Sequence, residues 1–223
     1  MNMIDLQEDI PSICAQKLKF KQVDIGLVPV ALLPELEQYK IITDYCIGTN
    51  GKVDSVKLYS NVPLNEIKIV TLDYQSKSSI NLTKVLNKFY WKQNFEFKDA
   101  KPGYEQSISG ANAAVVIGDR TFSLNGTFKY EFDLAEEWKK MTGLPFVFAA
   151  WVTTSDVDPE FIDSFNEALK SGIKDTDKAI QASNIQHPKN FNPLDYLTNK
   201  INYTLDENKR KALDLFLKYI LQL

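Results

Sequence analysis

The sequence predicts an α/β fold built as two lobes. Short β-branched runs with the composition of buried strands alternate along the chain with amphipathic helices. Such alternation favours parallel sheets covered by helices through right-handed crossovers. We expect about seven strands and about as many helices, which is too few for a barrel. In this interpretation the chain crosses twice between lobes, so that each lobe holds a doubly wound sheet and a ligand cleft lies between them.

Composition excludes several classes of partner. The 223 residues carry 26 basic and 29 acidic side chains, a formal net charge of −3, so nucleic acid is not expected as a partner. No apolar stretch approaches the roughly 20 residues that cross a bilayer. Met1–Glu8 lacks the pattern of a secretory signal, and we expect a cytoplasmic protein with no membrane partner. Cys14 and Cys46 are predicted to be buried free thiols.

The first part of the chain is predicted to supply two helices and three strands. The first helix starts at Asp9, which is expected to cap it, with Pro11 in the first turn. An Asn50-Gly51 pair suits the positive φ of a tight turn. The other predicted segments are the strand Val23–Val30, the short helix Ala31–Glu37 and the strands Ile41–Ile47 and Val53–Tyr59.

A serine-rich loop follows a predicted strand in the middle of the chain. Ile67–Leu72 is the strand, Asp73–Ser79 is the loop, and apolar residues recur at helical spacing after it. Free N–H groups and hydroxyls at such a junction favour an anion, helped by the positive end of the helix dipole. The alternative is that Ser76 or Ser78 only caps the helix.

The later elements continue the alternation of strands and helices. Ala113–Ile117 is a buried strand that runs directly into Gly118-Asp119. Asp133 and Glu136 form a capping-box-like start of a helix that Gly143 ends. The remaining predicted elements are strands at Phe95–Phe97 and Pro145–Thr153, and helices at Tyr104–Ser109, at Leu134–Thr142, after Asp158-Pro159 and after Thr204-x-x-Glu207.

The two predicted crossings lie near Ser60–Glu66 and near Phe148–Thr153. They divide the chain into a discontinuous first lobe, residues 1–66 with 150–223, and a second lobe, residues 67–149. Two doubly wound lobes with two crossings are the architecture of type II periplasmic-binding-protein-like domains, which bind ligands at the carboxyl ends of strands. The ends expected to face the cleft are Val28-Pro29-Val30, Asp73–Ser79 and Gly118-Asp119.

Five short motifs stand in order and carry a family resemblance. They are Asp24-Ile25-Gly26-Leu27-Val28-Pro29-Val30-Ala31, Gly51-x-Val53-x-Ser55-Val56-x-Leu58-x-Ser60, Asp73-x-x-Ser76-x-Ser78-Ser79-x-x-Leu82, Ile117-Gly118-Asp119 and Gly143-Leu144-Pro145-Phe146-Val147-Phe148-Ala149-x-Trp151. Together they resemble the chorismate dehydratases of the futalosine route to menaquinone, over most of residues 10–153. That family opens with a strand ending in Tyr-x-Asn-Thr/Ala-x-Pro. This sequence starts after the motif, so the resemblance implies that the N-terminal strand is missing from the first lobe.

The resemblance implies a cofactor-independent lyase. Chorismate, a small dicarboxylate, would lose its ring hydroxyl and the hydrogen of the neighbouring ether-bearing carbon. The product would be 3-[(1-carboxyvinyl)oxy]benzoate, formed in an early step of menaquinone biosynthesis. Neither a metal nor a redox partner is expected. The oligomeric state stays open, with a dimer among the alternatives, and so does the proton acceptor, for which a substrate carboxylate is one alternative.

The resemblance also implies roles for named residues. Ser78 and Ser79, with Ser76, would bind a substrate carboxylate. Ser55 would be a catalytic residue that hydrogen-bonds to the substrate, although a small core residue with its hydrogen bonds satisfied is equally expected there. Asp119 would position the leaving hydroxyl or a water, although an aspartate after a buried strand is equally typical of a turn. Phe146 and Phe148 would supply an apolar wall, with at least one of them in the core instead because strand residues alternate faces. Backbone groups complete the expected cleft at Val28, Pro29, Val30 and Gly118.

Two other functions stay open. A solute-binding protein for small anions would share the fold, since a fold does not fix a function, although such receptors are normally exported. The sister dihydroxynaphthoate synthase of the same pathway resembles the sequence less well, because its catalytic histidine would fall near Gly118, where there is no imidazole. The only histidine, His187, lies in a polar stretch and is expected at the surface, with no role in binding a metal.

Overall fold

The structure is a computed structural model that describes residues 4–183, 185–188 and 191–223. Its strands form one sheet of four strands and one of five. In chain order they are β1 Ile25–Pro29, β2 Lys40–Thr49, β3 Val56–Ser60, β4 Ile69–Leu72, β5 Glu96–Asp99, β6 Asn112–Ile117, β7 Tyr130–Asp133, β8 Phe146–Thr153 and β9 Asn202–Thr204. The α-helices are α1 Pro11–Lys19, α2 Lys77–Leu86, α3 Arg120–Leu124, α4 Leu134–Thr142, α5 Pro159–Lys174, α6 Thr176–Ala182, α7 Pro193–Asp195 and α8 Glu207–Ile220. Tighter or wider helical turns lie at Val30–Glu35, Leu64–Glu66, Asn87–Trp91, Tyr104–Ser107 and Tyr196–Lys200.

The strand directions correct one expectation. The four-stranded sheet, in the order β1-β8-β2-β9, is antiparallel throughout. In the five-stranded sheet, β5-β4-β6-β3-β7, β4 runs parallel to β5 and β6, whereas β3 runs antiparallel to β6 and β7. Parallel layers are therefore found only in part of one sheet. The reason is topological, because β3 and β8 are the strands that arrive from the other sheet, and each is inserted between strands that run the opposite way.

The chain passes between the sheets at two places. It leaves the four-stranded sheet after Thr49 and enters the five-stranded sheet at Val56, then leaves after Asp133 and returns at Phe146. Both passages come earlier in the chain than the predicted crossings near residues 60–66 and 148–153. The sheets therefore group β3 with the second sheet, whereas the predicted first lobe includes it. The lobe boundaries at residues 66 and 149 stay a prediction.

Most predicted elements are present with shifted ends. Helix α4 has the predicted bounds and ends at Gly143, whose φ of 74° is the left-handed conformation that glycine favours. Helix α8 is capped by Asp206 rather than Thr204. Asp9 does not cap α1, and its carboxylate instead pairs with Lys17. The segments without a counterpart in the sequence prediction are α3, β7, α6, α7 and β9.

Both cysteines are free thiols, as predicted. Cys46 is buried, and burial raises its pKa to about 12. Cys14 is only partly buried. Among the described residues, no helix is both long and apolar enough to cross a membrane.

An aromatic cluster anchors α4 and α8 against β8. Trp138 of α4 is fully buried, and its indole N–H donates to the carbonyl of Pro145 at 2.9 Å. Its ring meets those of Phe146 and Phe216 edge to face, with centroids 5.4 and 5.8 Å away. Such pairs stabilise a fold beyond the area they bury. The cluster belongs to a core that includes residues of both sheets.

The carboxylate of Asp133 joins the two passages between the sheets. One oxygen accepts hydrogen bonds from the amides of Val53 and Asp54, at 3.0 and 2.7 Å, in the first passage. The other accepts from the amides of Ala135 and Glu136, both at 3.1 Å, at the start of α4. Burial raises the pKa of Asp133 above its ordinary value, although these backbone amides act in the opposite direction. One buried carboxylate thus fixes the loop before β3 relative to α4.

Replacing Asp133 by asparagine should lower the free energy of unfolding by about 2–3 kcal/mol. The new –NH₂ group would face N–H donors that need an acceptor, and a buried polar group left unsatisfied costs about this much. Urea denaturation of wild-type and variant proteins measures the loss.

Asp158→Asn is the matched control for this substitution. Asp158 caps α5 from an exposed position and accepts a hydrogen bond from the amide of Glu160. Asparagine caps a helix about as well as aspartate does, so this variant should unfold like the wild type. Equal losses in the two variants would contradict the role assigned to Asp133.

Candidate active site

A cavity of about 1150 Å³ is lined by elements of both sheets. Strands β1, β2 and β8 contribute from the four-stranded sheet, and β3, β6 and the start of α2 contribute from the five-stranded side. The volume is ample for a small dicarboxylate. The predicted site residues that line it are Pro29, Ser55, Ser76, Ser79 and Gly118. The predicted site residues that lie outside the lining, which is drawn from the described residues, are Val28, Val30, Ser78, Asp119 and Phe146.

Buried Asp73 shapes the serine loop. It follows β4 directly, and its carboxylate accepts hydrogen bonds from the amide of Gln75 at 2.8 Å and the hydroxyl of Tyr104 at 2.6 Å. The amide of Ile117 at the end of β6 donates to the same group at 3.1 Å, and the guanidinium of Arg120 pairs with it. These bonds tie the ends of two neighbouring strands together. The loop therefore leaves β4 in a fixed direction.

Ser76 and Ser79 form the hydroxyl pair of the cavity wall. Ser76 is the N-cap of α2, and its Oγ accepts a hydrogen bond from the amide of Ser79 at 3.4 Å. The hydroxyl of Ser79 donates to the same oxygen at 3.3 Å. The capping alternative is therefore correct for Ser76. The cap also lines the cavity, so the two interpretations of this serine do not exclude each other.

Ser78 has a different place from its neighbours. Its hydroxyl donates to the carbonyl of Phe148 at 2.7 Å and accepts from the amide of Ala31 at 3.3 Å. Both partners belong to the four-stranded side, so Ser78 connects α2 to that side of the molecule. The predicted contact of its hydroxyl with a ligand does not fit this placement, because the hydroxyl is fully buried and already engaged.

The start of α2 leaves backbone donors free. Within the described residues, the amides of Lys77 and Ser78 have no hydrogen-bond acceptor. Free amides at a helix N-terminus favour an anion through the positive end of the dipole. The ammonium of Lys77 pairs with Glu35 at 2.8 Å, so its charge is committed elsewhere. The donors offered at this end are therefore neutral.

Ser55 meets a residue from a distant part of the chain. It lies in the loop before β3, where Asp54 has a φ of 66°, and its carbonyl accepts from the amide of Gly118 at 2.8 Å. The hydroxyl of Tyr196 donates to Ser55 Oγ at 2.7 Å, across a separation of 141 residues. Burial raises the pKa of Tyr196 to about 12. Tyr196 lines the cavity, and no local pattern in its polar segment indicates this role.

Gly118 and Asp119 follow β6, and they differ in their position relative to the cavity. Gly118 lines the cavity and has a φ of 68°, which turns the chain sharply into α3. Asp119 is exposed and lies outside the lining. Its negative charge contributes to the raised pKa of Tyr196, which places the carboxylate in the neighbourhood of the site. The turn-forming alternative fits this position well.

Alternation along β1 separates Val28 from Pro29, whereas Val30 opens the helical turn that follows the strand. Val28 and Val30 are completely buried in the core, whereas Pro29 between them lines the cavity. Successive strand residues point to opposite faces. Of the predicted segment Val28-Pro29-Val30, Pro29 is therefore the residue that lines the cavity, within the described part of the chain.

One of the two phenylalanines of β8 lines the cavity. Phe146 is 1% exposed and packs on Trp138 and Phe216, so its predicted role as a cavity wall is wrong for the side chain. Helices α4 and α8 cover the start of β8 and take Phe146 into the core. Phe148 lies farther along the strand and lines the cavity.

The exposed part of the cavity wall is acidic. The exposed acidic residues of the lining are Asp5, Glu8, Asp9, Asp24 and Asp156. The charge of Asp9 is paired with Lys17, which also lines the cavity, and that of Asp156 with Lys40. This concentration of negative charge is assembled from separate segments, so sequence inspection missed it. An anion is therefore favoured at the serine end of the cavity and disfavoured at the acidic wall.

His187 does not line the cavity. It is partly buried, with its ring centroid 5.2 Å from that of Phe191. Within residues 4–183, 185–188 and 191–223, no group of three or more His, Cys, Asp and Glu side chains could hold a metal ion.

Removing the hydroxyl of Ser78 should cost stability. Ser78→Ala leaves the carbonyl of Phe148 and the amide of Ala31 without this partner, so the free energy of unfolding should fall by about 1–3 kcal/mol. Urea denaturation measures the change. Ser164→Ala, at an exposed position of α5, is the control and should be within about 0.5 kcal/mol of the wild type. A Ser78→Ala protein as stable as this control would show that the two hydrogen bonds contribute nothing.

Two solved structures share this fold. Protein AF1704 from Archaeoglobus fulgidus matches with a TM-score of 0.73 and 14% sequence identity, over 96% of this chain and 84% of that one. An ABC transporter from Parabacteroides distasonis matches with a TM-score of 0.63 and 18% identity, over 96% of this chain and 80% of that one. The predicted two-lobed type II periplasmic-binding-protein-like fold is confirmed.

The sequence is also similar to a curated chorismate dehydratase. The chorismate dehydratase of Thermus thermophilus is 26% identical over 178 residues, which make up 67% of this chain and 63% of the relative. The chain thus spans less than two thirds of the length of that enzyme, and the predicted resemblance is confirmed. A model of the family described as menaquinone biosynthesis matches residues 2–222. The chain belongs to this menaquinone biosynthesis family.

Proposed function

We propose that this protein is a lyase that dehydrates chorismate to 3-[(1-carboxyvinyl)oxy]benzoate. Family membership and the similarity to a chorismate dehydratase support the reaction. The observation that carries the proposal is the neutral, hydroxyl-lined end of the cavity, formed by Ser55, Ser76 and Ser79. In this proposal the protein acts in the cytoplasm on a small dicarboxylate and uses no metal, nucleotide or flavin.

One substrate carboxylate would bind at the start of α2. The hydroxyl of Ser76 accepts two hydrogen bonds and keeps its own proton free for a carboxylate, and the free amides of Lys77 and Ser78 follow it directly at the start of the helix. Fixed neutral donors hold a carboxylate in one geometry, whereas an ammonium is a mobile point charge. Holding chorismate in one pose keeps its enolpyruvyl arm away from competing reactions.

The hydroxyl of Ser55 would act on the departing ring hydroxyl. Loss of that hydroxyl and of the hydrogen on the ether-bearing carbon releases one water and completes an aromatic ring, which supplies the driving force. A donor that binds the departing oxygen more strongly in the transition state than in the ground state raises kcat. The proton leaves to a carboxylate, either the substrate's own or one in the acidic wall. The predicted role of Asp119 stays a prediction, since its exposed carboxylate lies outside the lining.

The protein should convert chorismate to an aromatic enolpyruvyl ether with no added cofactor. Incubation with chorismate, followed by mass and ultraviolet spectra of the products, tests this directly. Turnover should survive exhaustive chelation, because the proposed groups are serines and backbone amides. Heat-inactivated protein gives the spontaneous background.

A solute-binding protein would give a different result. It would bind chorismate and return it unchanged, so recovery of intact chorismate at the background rate, together with measurable binding, would overturn the proposed reaction.

Ser76→Ala should weaken the binding of chorismate about ten- to hundredfold. Losing a hydrogen bond to a charged group costs roughly 1.5–3 kcal/mol. Calorimetric titration gives the dissociation constant. Ser171→Ala, at an exposed position on α5, is the matched control and should bind as the wild type does. Unchanged affinity in a folded Ser76→Ala protein would remove this serine from the binding site.

A further inference from the structure

Tyr196 lines the cavity, but it comes from a segment that is distant in sequence from the cavity serines Ser55, Ser76 and Ser79. It opens the helical turn Tyr196–Lys200, directly before β9 of the four-stranded sheet. Its hydroxyl donates to Ser55 Oγ at 2.7 Å, while Ser55 precedes β3 of the five-stranded sheet. The contact therefore bridges the two sides of the cavity.

Several contacts hold Tyr196 in this position. Its ring meets those of Phe122 and Phe191 at centroid distances of 5.1 and 5.5 Å, and these two rings stack on each other at 3.8 Å. At the end of the same turn, the ammonium of Lys200 pairs with Asp54 at 3.2 Å, one residue before Ser55. Aromatic packing and the ion pair thus fix the turn against the loop that carries Ser55.

The direction of the hydrogen bond decides where the proton of Ser55 points. A serine hydroxyl has one proton to donate and two lone pairs that accept. Tyr196 occupies a lone pair, which leaves the Ser55 proton free for another acceptor. Among the described residues, Ser55 Oγ makes no hydrogen bond other than the one it accepts from Tyr196, and Ser55 lines the cavity. The proton is therefore available to a ligand there.

We infer that Tyr196 is a positioning residue for the proposed dehydration: its hydroxyl holds Ser55 so that the serine proton points at the departing oxygen of the substrate. This inference rests on the proposed function. Tyr196 keeps its own proton through the neutral range, because burial raises its pKa to about 12. The arrangement therefore needs no titration step, and Tyr196 adds no alkaline limb to the rate below about pH 11.

Tyr196→Phe tests the inference, because it removes the hydroxyl and keeps the ring that packs on Phe122 and Phe191. We expect kcat for chorismate to fall about tenfold with KM changed less than about twofold, since the oriented proton acts mainly in the transition state. Ser55→Ala should lower kcat at least as much. In the double variant the losses should not multiply, because Tyr196 acts only through Ser55.

Tyr203→Phe is the matched control. Tyr203 is a partly buried tyrosine of β9 close to Tyr196, and burial raises its pKa as well. It lies outside the cavity lining, so its kcat should equal that of the wild type. Thermal unfolding of all the variants separates a loss of fold from a loss of positioning. Multiplying losses in the double variant, or a Tyr196→Phe rate equal to that of Tyr203→Phe, would overturn the inference.

The failure of the proposed function can be told apart from the failure of this inference. If the wild-type protein binds chorismate without converting it, the reaction is wrong. The same four proteins, wild type, two single variants and the double variant, then test the positioning role through the dissociation constant for chorismate. If the double variant loses no more affinity than the more affected single variant, Tyr196 acts through the Ser55 proton. If the two losses multiply in the double variant, the positioning role is rejected.

Discussion

The carboxylate of Asp133 is the group on which the geometry of both passages between the sheets depends. Four backbone amides from two separate segments converge on it, and each of them is a donor that burial makes expensive to leave unpaired. Because α4 is anchored in turn by the ring of Trp138, the loop before β3 takes its position from the core. Ser55 stands in that loop. The placement of a cavity residue is thus set by a capping interaction at some distance along the chain.

The three serines at the start of α2 have two different roles. Ser76 and Ser79 line the cavity, whereas the hydroxyl of Ser78 forms hydrogen bonds with the carbonyl of Phe148 and the amide of Ala31. A helix start places consecutive side chains about 100° apart, so neighbours of the same type meet different surroundings. Because Ser78 fixes α2 against the four-stranded side, the donors at the start of the helix have a fixed position.

Sequence patterns predicted the parts of this molecule that depend on local chemistry. Asp133 and Gly143 mark the two ends of α4 because caps act within a few residues. The passage near Ser55 was missed, because the apolar alternation of residues 53–59 imitates a strand while the positive φ of Asp54 makes its start a loop. Tyr196 was missed for another reason: it meets Ser55 across 141 residues, and nothing in the intervening polar segment encodes that encounter. Which of Phe146 and Phe148 lines the cavity depends on where α4 and α8 pack on β8, and the sequence of the strand alone does not contain this information.

The exposed carboxylates make one side of the cavity negative, whereas the side that holds the serines is neutral. A doubly charged anion that enters past the exposed residues of the lining passes Asp5, Glu8 and Asp24, which have no ion pair among the described residues. Dissolved ions screen exposed charges over a Debye length of about 8 Å at physiological ionic strength. Added salt therefore weakens the repulsion at the entrance more than it weakens hydrogen bonds in the interior. The rate at which such an anion enters rises with ionic strength, which is the reverse of the behaviour of sites that draw in their ligands by attraction.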